Sequence, residues 1–301
     1  MRKIICAGEC ALDIIFDGGK PVGSMPGGRI ANAAAILARA GLPVSLAGEI
    51  SADKVGDILA EFLTEAGVDM TSVDRFTEGR TPLNIFTTES QGLSDVTRYE
   101  QYPDKCFDII WPRIDENDIV VYGGFYALDA RMRPGLSQLL DYAAERKAVT
   151  VYLPGFLPQQ EPRITRVMPA ILENLESADV VVARNNDLKL IFGVDEGERC
   201  YHDHIDFYCR SMINIDTACQ RICYYSGKEV TEVGVPASTC QSMMWNAGAV
   251  AGVVAALYAA DEAKTRVAAP DDDFRRKVIS EAARMAVDAS ASLVHDWQKQ
   301  H

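Results

Sequence analysis

The chain has 301 residues, of which 48% are apolar and 24% charged, a composition typical of a globular protein with a sizeable core. Its 43 acidic and 30 basic residues give a formal net charge of −13. That excess of acid argues against nucleic acid and anionic membranes as partners, because both are bound by basic faces.

The first residues do not resemble a secretion signal, since their apolar run is short and acidic Glu9 and Asp13 follow at once. No uncharged apolar run reaches the roughly 18 residues that a membrane-spanning helix needs. The eight cysteines show no repeated spacing and are interpreted as reduced thiols, and the Cys and His residues of 200–209 match no standard zinc pattern. We therefore expect a cytoplasmic protein, and we assign no metal ligands.

Short apolar strands alternate with helical patterns along most of the chain. In chain order we predict strands at 4–7 and 11–16, a turn at 17–20, a helix at 30–40, a strand at 44–47, a helix at 55–66, a strand at 119–122, a helix at 134–146, a strand at 149–152, a helix at 164–176, a strand at 180–182 and an amphipathic helix at 274–297. Buried strands separated by helices are typical of an α/β fold with a mainly parallel sheet covered on both faces.

One stretch interrupts this alternation. Leu83 to Tyr102 has no helical period and is rich in Thr, Ser and Tyr. Together with residues 14–24 it is predicted to form a small antiparallel sheet outside the main layer. The expected organisation is one α/β domain over residues 1–301 with this small β appendage inserted in it.

The most specific local feature is a glycine pair directly before a predicted helix. Gly27 and Gly28 follow Pro26, and Asn32 stands in the first turn of that helix. Without Cβ atoms, such a turn lets a ligand approach the backbone, and the helix start presents free N–H groups. An ordinary strand-to-helix turn has the same spacing, so the pattern alone leaves both interpretations open.

The surrounding residues make the interpretation more specific. Gly8-Glu9 with Asp13, then Gly27-Gly28 with Asn32 and the run to Gly41, resembles the first signature of the PfkB/ribokinase family of carbohydrate kinases. The resemblance implies a ribokinase-like three-layer sandwich in which the β appendage acts as a lid, and a homodimer formed through that lid. It also implies a sugar site at Asp13, Gly27, Gly28 and Asn32, where a carboxylate and an amide bind sugar hydroxyls.

The family's second signature is degraded in this chain. In active members it reads Asp/Ser-Thr-x-Gly-Ala-Gly-Asp, where the glycines open a helix that binds the transferred phosphoryl group and the final Asp takes the proton from the sugar. Here Ser238-Thr239 is followed by Cys-Gln-Ser-Met-Met-Trp-Asn, and no Asp occurs between Thr217 and Ala260. Counting from Ser238 places Met244 at the base position, and counting back from Gly252 places Ala247 there.

Neither Met nor Ala accepts a proton, and loss of a positioned base alone costs roughly 10²–10⁴-fold in rate. The remaining departures lie on the side that the family uses for ATP and Mg²⁺. Leu153 to Leu157 stands where the family has Asp-x-Asn-x-Arg, Asn185 is kept but Leu188 replaces a Glu, and the turn at 216–221 lacks its glycines. The sequence therefore predicts a retained sugar side and weak or lost binding of ATP–Mg²⁺, with Asn185 as the retained residue.

Three hypotheses follow. The first is a carbohydrate kinase homologue with a sugar site and weak or no activity. The second is a non-catalytic pseudokinase that binds a sugar or a protein partner. The third is an active kinase with a displaced base, Glu229 or Glu232, although both precede the signature on a predicted strand. No Gly-x-Gly-x-x-Gly follows a strand, which argues against a dinucleotide-dependent oxidoreductase.

Overall fold

The computed structural model describes residues 2–89, 92–105, 109–239 and 242–299. In chain order its elements are β1 (Ile4–Ala7), β2 (Ala11–Asp17), β3 (Lys20–Gly27), α1 (Arg29–Arg39), β4 (Val44–Glu49), α2 (Lys54–Glu65), β5 (Asp69–Asp74), β6 (Arg80–Glu89), β7 (Gly92–Gln101), β8 (Ile119–Gly123), α3 (Arg133–Glu145), β9 (Val149–Leu153), α4 (Ile164–Glu176), β10 (Val180–Arg184), α5 (Asn185–Phe192), α6 (Gly197–Cys200), β11 (Ser211–Asp216), β12 (Arg221–Ser226), β13 (Glu229–Gly234), α7 (Trp245–Ala259), α8 (Ala263–Ala268) and α9 (Asp272–Lys299). A short 3₁₀ turn lies at 125–127 and a π-helical turn at 201–205.

The central sheet contains nine of the described strands, in the order β13, β12, β11, β10, β9, β8, β1, β4, β5. The seven strands from β11 to β5 run parallel, and β12 and β13 add an antiparallel edge. Every residue of β1 and β8 is buried, as expected for strands covered on both faces. The predicted mainly parallel sheet is confirmed.

Alternate residues of each strand point into two separate cores. In β1, Ile4 and Cys6 join the core that α1, α7 and α9 cover, whereas Ile5 and Ala7 join the core covered by α3, α4 and α5. This alternation follows from the two-residue period of a strand. The result is a three-layer α/β/α sandwich, as predicted.

Helix α7 is buried almost all round, and it packs unusually close to α9. A Cβ atom on Gly248 would lie 2.6 Å from the carbonyl oxygen of Met285, and one on Gly252 would overlap the carbonyl oxygen of Glu281. These two glycines therefore serve helix packing. The contact fixes the direction in which α7 begins at the carboxyl end of the sheet.

A second sheet, the lid sheet, consists of β3, β2, β6 and β7 in that order. The residues expected in the β appendage lie in it, apart from 90 and 91, which are outside the described residues. The pairs β2–β3 and β6–β7 are antiparallel as predicted, whereas β2 and β6 pair in parallel, so the sheet is mixed. The chain reaches β6 only after crossing through α1, β4, α2 and β5, so the two strands enter the sheet from the same end. No described helix is long and apolar enough to cross a membrane.

Candidate active site

The predicted site residues gather at the carboxyl ends of the parallel strands, where ligands of open α/β sheets bind. Loops at this edge follow β1, β8, β9, β10 and β11. Their first residues are Gly8 and Glu9, Gly124, Pro154 and Gly155, Asn185, and Thr217. The lid sheet begins from the same edge, because β2 follows β1 directly.

The glycine pair is required by contacts within the chain itself. Gly27 pairs with Ala11 across the β2–β3 hairpin, and a Cβ atom on it would overlap the carboxylate of Asp13. Gly28 has φ +97°, which disfavours any residue with a side chain, and a Cβ there would overlap the Glu9 carbonyl oxygen. The turn therefore holds the backbone directly against Asp13 and Glu9.

Asn32 lies in the first turn of α1, behind this glycine pair. It is buried, and its Nδ2 donates to the carbonyl oxygen of Pro26 at 3.0 Å. Its Oδ1 is buried without a hydrogen-bond partner among the described residues. The side chain lines a narrow crevice, too tight for a water molecule, that it shares with Gly27 and residues of α2. One end of the amide thus fixes the turn, and the other end is an unused acceptor.

Asp13 connects to the lid sheet through a chain of polar side chains. Asn84 Nδ2 on β6 donates to Asp13 Oδ1 at 2.7 Å, and Arg98 on β7 donates to Asn84 Oδ1 at 3.1 Å. Arg98 also donates to Glu100 at 2.7 Å and lies 3.3 Å from Glu9. The Arg98 side chain is only 4% exposed, so these partners satisfy a charge that water does not reach.

Burial sets the charge state of these groups. It raises the pKa of Asp13 to about 6, even though the hydrogen bond from Asn84 acts in the opposite direction. Burial lowers the pKa of Arg98, but the carboxylates of Glu9 and Glu100 more than reverse that effect and leave it above its usual value. Asp13 therefore takes up a proton more readily than an ordinary carboxylate, beside a permanently charged guanidinium.

Glu100 ties the lid sheet to two loops of the central sheet. It accepts a 2.7 Å hydrogen bond from Gln160 and lies 3.9 Å from Arg131. The Arg131 guanidinium in turn lies over the ring of Tyr102, 5.2 Å from its centroid. Gln160 belongs to the loop after β9 and Arg131 to the segment before α3, so the lid sheet is held closed over the carboxyl edge.

On the nucleotide side, the retained Asn185 is occupied by internal contacts. Its Oδ1 accepts a 2.8 Å hydrogen bond from Asn214, which lies on β11. Asp216 at the end of β11 accepts the backbone N–H of Cys219 at 3.0 Å and pairs with Arg221 at 3.5 Å. Burial raises the pKa of Asp216, but these hydrogen bonds leave it below its usual value. In the turn between β11 and β12, the backbone N–H of Cys219 is thus already occupied by the carboxylate of Asp216.

Both predicted base positions are apolar packing positions. Met244 and Ala247 are buried and contact Met25, Ile36 and Ala289. Cys240 and Gln241 of the degraded signature lie outside the described residues.

Between these two positions stands Trp245, which is fully buried in the core. Its indole Nε1 donates to Thr239 Oγ1 at 3.2 Å, and Thr239 donates to the carbonyl oxygen of Pro236 at 2.7 Å. A bulky anchored ring therefore occupies the helix start, next to the positions where the family signature places glycines.

Asn246 was not predicted as a site residue. It is the only polar side chain in residues 243–254, and its Oδ1 is buried without a partner in the described part of the chain. Ala249, Val250 and Val253 follow it on the same face of α7 and lie in the core. Asn246 itself is half-buried and lies in the first helical turn, at the start of α7.

A family model described as pfkB family carbohydrate kinase matches residues 1–204. The chain belongs to this family. The match contains the glycine pair, Asp13, Asn32 and the lid sheet, and it ends before the second signature region.

Named relatives of this pfkB family member agree in fold. Fructokinase-1 from Oryza sativa subsp. japonica is 25% identical and that from Zea mays is 24% identical, each over 180 residues. The alignments cover 58% of this chain and 55% of the relatives, so the chain spans about half the length of the curated relatives it matches.

Aminoimidazole riboside kinase from Salmonella enterica superposes with a TM-score of 0.79 at 15% identity, covering 97% of this chain and 94% of that one. A fructokinase from Vibrio cholerae O395 superposes with a TM-score of 0.78 at 15% identity, covering 98% and 99%. These similarities establish the ribokinase-like fold.

The alternative bases in this pfkB family member lie far from the glycine pair. Glu229 and Glu232 are on the edge strand β13, their side chains 69% and 60% exposed, and they pair with Arg275 and Arg221. Five strands separate β13 from β1, a distance of about 29 Å at the usual strand spacing. Among the described residues, no group of three or more His, Cys, Asp or Glu side chains is arranged to hold a metal.

Proposed function

We propose that this pfkB family member binds a sugar at Asp13, Gly27, Gly28 and Asn32, and that its ATP-dependent phosphoryl transfer is weak or lost. The single observation that supports weak or lost phosphoryl transfer is the absence of a carboxylate at the start of α7. Met244 and Ala247 pack in an apolar cluster there, and the polar side chain between them is the amide of Asn246. None of the three accepts a proton, so a general base is missing.

The sugar side is supported by the groups left available at the carboxyl edge. Asp13 offers carboxylate oxygens, and Asn32 offers an unused buried acceptor. Both suit hydroxyl donors, because a buried acceptor gains most from a partner that replaces lost water. Solved relatives of the same fold are described as bound to fructose or to aminoimidazole riboside. A neutral sugar or riboside is therefore the proposed ligand class.

ATP and Mg²⁺ are the cofactors that the family implies, and the residues on that side do not fit them. Asn185 is engaged by Asn214, and the N–H of Cys219 is engaged by Asp216. A buried carboxylate at a turn repels a triphosphate, where the family's glycine turn offers free N–H groups. We therefore assign no step of the chemistry to a bound nucleotide.

The deciding experiment compares two ligands on the intact chain. Calorimetric titration with D-fructose and a panel of neutral ketoses and aldoses is expected to show saturable binding, lost in an Asp13→Ala variant. Titration with ATP–Mg²⁺ is expected to show none at micromolar concentration. Sugar-dependent ATP turnover near 1 s⁻¹, the order of magnitude of active kinases, would contradict the proposal.

A homodimer through the lid sheet is the proposed assembly. Its two edge strands, β3 and β7, expose Val22 (57%) and Tyr99 (58%), and unpaired edges favour association. A double Val22→Lys, Tyr99→Lys variant is expected to be monomeric in multi-angle light scattering where the wild type is dimeric. A monomeric wild type at tens of micromolar contradicts this assembly.

A further inference from the structure

Arg29 directly follows the glycine pair, and its side chain connects that turn to the loops that follow β9 and β10. Arg29 begins α1, yet its guanidinium donates to Asp187 Oδ2 at 2.8 Å and to the carbonyl oxygen of Pro154 at 2.9 Å. Pro154 follows β9, and Asp187 lies in the first turn of α5. The side chain therefore spans the carboxyl edge from the glycine pair to the ends of β9 and β10.

Asp187 is shared between two arginines. Besides Arg29, it accepts from Arg184 Nε at 2.8 Å and from a terminal nitrogen of Arg184 at 2.6 Å. The Asp187 side chain is 3% exposed and that of Arg29 is 16% exposed. Burial alone would raise the pKa of Asp187, but Arg184 and Arg29 hold it well below its usual range. The carboxylate is ionised and satisfied, so each arginine has a fixed anchor.

The loop after β9 passes close to the guanidinium with no side chain at Gly155. A Cβ on Gly155 would lie 2.8 Å from Gly124 Cα and 3.6 Å from the nearer terminal nitrogen of Arg29. At this strand end the sequence has Leu153 and Gly155 instead of polar residues. Arg29 therefore supplies, from α1, the polar contacts that the loop after β9 does not provide.

We propose that Arg29 is a positioning residue, and that its ion pair with Asp187 holds the Gly27–Gly28 turn in its sugar-binding conformation without a nucleotide. A pair of glycines has wide conformational freedom, so such a turn needs an external tie to stay in one state. Charge-assisted hydrogen bonds in a buried setting are strong enough to provide that tie. A turn already fixed before the ligand arrives gives up less entropy on binding. The proposal rests on the proposed sugar site.

The two arginines offer a matched pair of variants. Because Asp187 has two cationic partners, Arg29→Met and Arg184→Met each leave it one, and neither leaves a buried charge alone. Only Arg29→Met cuts the link to α1. Hydrogen exchange of the ligand-free protein over residues 27–37 is expected to be about tenfold faster in Arg29→Met and unchanged in Arg184→Met.

Sugar affinity provides the second measurement. Calorimetric titration with D-fructose is expected to show about tenfold weaker binding to Arg29→Met, partial recovery in Arg29→Lys and wild-type affinity in Arg184→Met. Equal exchange over residues 27–37 in Arg29→Met and Arg184→Met would overturn the role of Arg29. Wild-type protein that binds none of the tested sugars contradicts the proposed function, whereas the exchange comparison still decides whether Arg29 fixes the turn.

Discussion

Asn84 on the lid sheet donates a 2.7 Å hydrogen bond to Asp13, the carboxylate that faces the glycine pair. The bond connects two strands that are distant in sequence but paired in parallel, β2 and β6. The bond offsets only part of the cost of burying the charged Asp13, since burial raises the pKa of Asp13 to about 6 in spite of it. The charged form of this buried carboxylate is unfavourable for the fold at neutral pH, and its oxygens are available for a ligand hydroxyl.

Asp13→Asn is expected to stabilise the protein at pH 7. The folded state binds the Asp13 proton more tightly than the unfolded chain does, so this contribution to stability is fully present below about pH 3.8 and is lost as the pH rises through about 6. Removing the ionisation therefore gains up to about 3 kcal/mol at pH 7 and much less at pH 4.5. Denaturant unfolding of the wild type and Asp13→Asn at pH 7 and pH 4.5 measures this gain in the free energy of unfolding. An equal gain at both pH values would contradict the assignment of the effect to the ionisation of Asp13.

Arg98→Met is expected to loosen the lid sheet. The variant leaves the largely covered Glu9 without its cation and removes the links to Asn84 and Glu100, which costs about 3 kcal/mol in the free energy of unfolding. Hydrogen exchange in β6 and β7 should rise more than in β8. Arg113→Met is the matched control, because the Arg113 side chain is 81% exposed and pairs only with the nearby Asp115. Equal effects of the two variants would show that Arg98 does not hold the lid sheet.

Asn246→Asp is expected to be tolerated and to raise sugar-dependent ATP turnover at least about tenfold when assayed at millimolar ATP–Mg²⁺. The physical reason is that a carboxylate at this position lies at the carboxyl edge and at a helix start, where the dipole favours negative charge. Ala247→Asp is the control, since it buries a charge against Met25 and Ile36. That control should lose at least about 2 kcal/mol of stability and gain no activity. No gain in Asn246→Asp, or an equal gain in both variants, would show that a carboxylate at position 246 does not supply the missing base.

Gly248→Ala is expected to destabilise the fold by about 1–3 kcal/mol, because α7 and α9 must move apart. The added methyl group meets the carbonyl oxygen of Met285 at 2.6 Å and the Cβ of Ala289 at 2.7 Å. Gly234→Ala is the control, with nothing within 4 Å of its added Cβ. Thermal unfolding should show a lower melting temperature for Gly248→Ala than for Gly234→Ala. Wild-type stability in Gly248→Ala would mean that the helices are not in close contact.

The layers of the fold could be predicted because each depends on local pattern. The helix predicted at 164–176 coincides with α4, and the predicted buried strand at 119–122 lies within β8, since apolar period and run length are properties of neighbouring residues. β5 was missed because Asp69–Asp74 alternates weakly and is half exposed. The parallel pairing of β2 and β6 was missed because it depends on the crossover between them.

The proposed sugar site could be predicted only where a motif marks it. Asp13 and Asn32 stand at recognisable spacings, whereas Arg98 and Glu100 belong to a lid segment that offered only its composition. Arg29 directly follows Gly28 in the sequence, but its partner Asp187 is 158 residues away, and no local pattern indicates an ion pair over that separation. Counting along the second signature left two base positions, Met244 and Ala247, because the residues between Thr239 and Gly248 match the motif at neither end.

Trp245 makes this form of the helix start difficult to reverse. It is the largest fully buried side chain among the described residues, so a glycine in its place would remove roughly 3–5 kcal/mol or more from a fold whose total stability is typically about 5–15 kcal/mol. A change at Thr239 would in turn remove the hydrogen-bond partner of the indole. A helix start without this ring therefore requires compensating changes in the core at the same time.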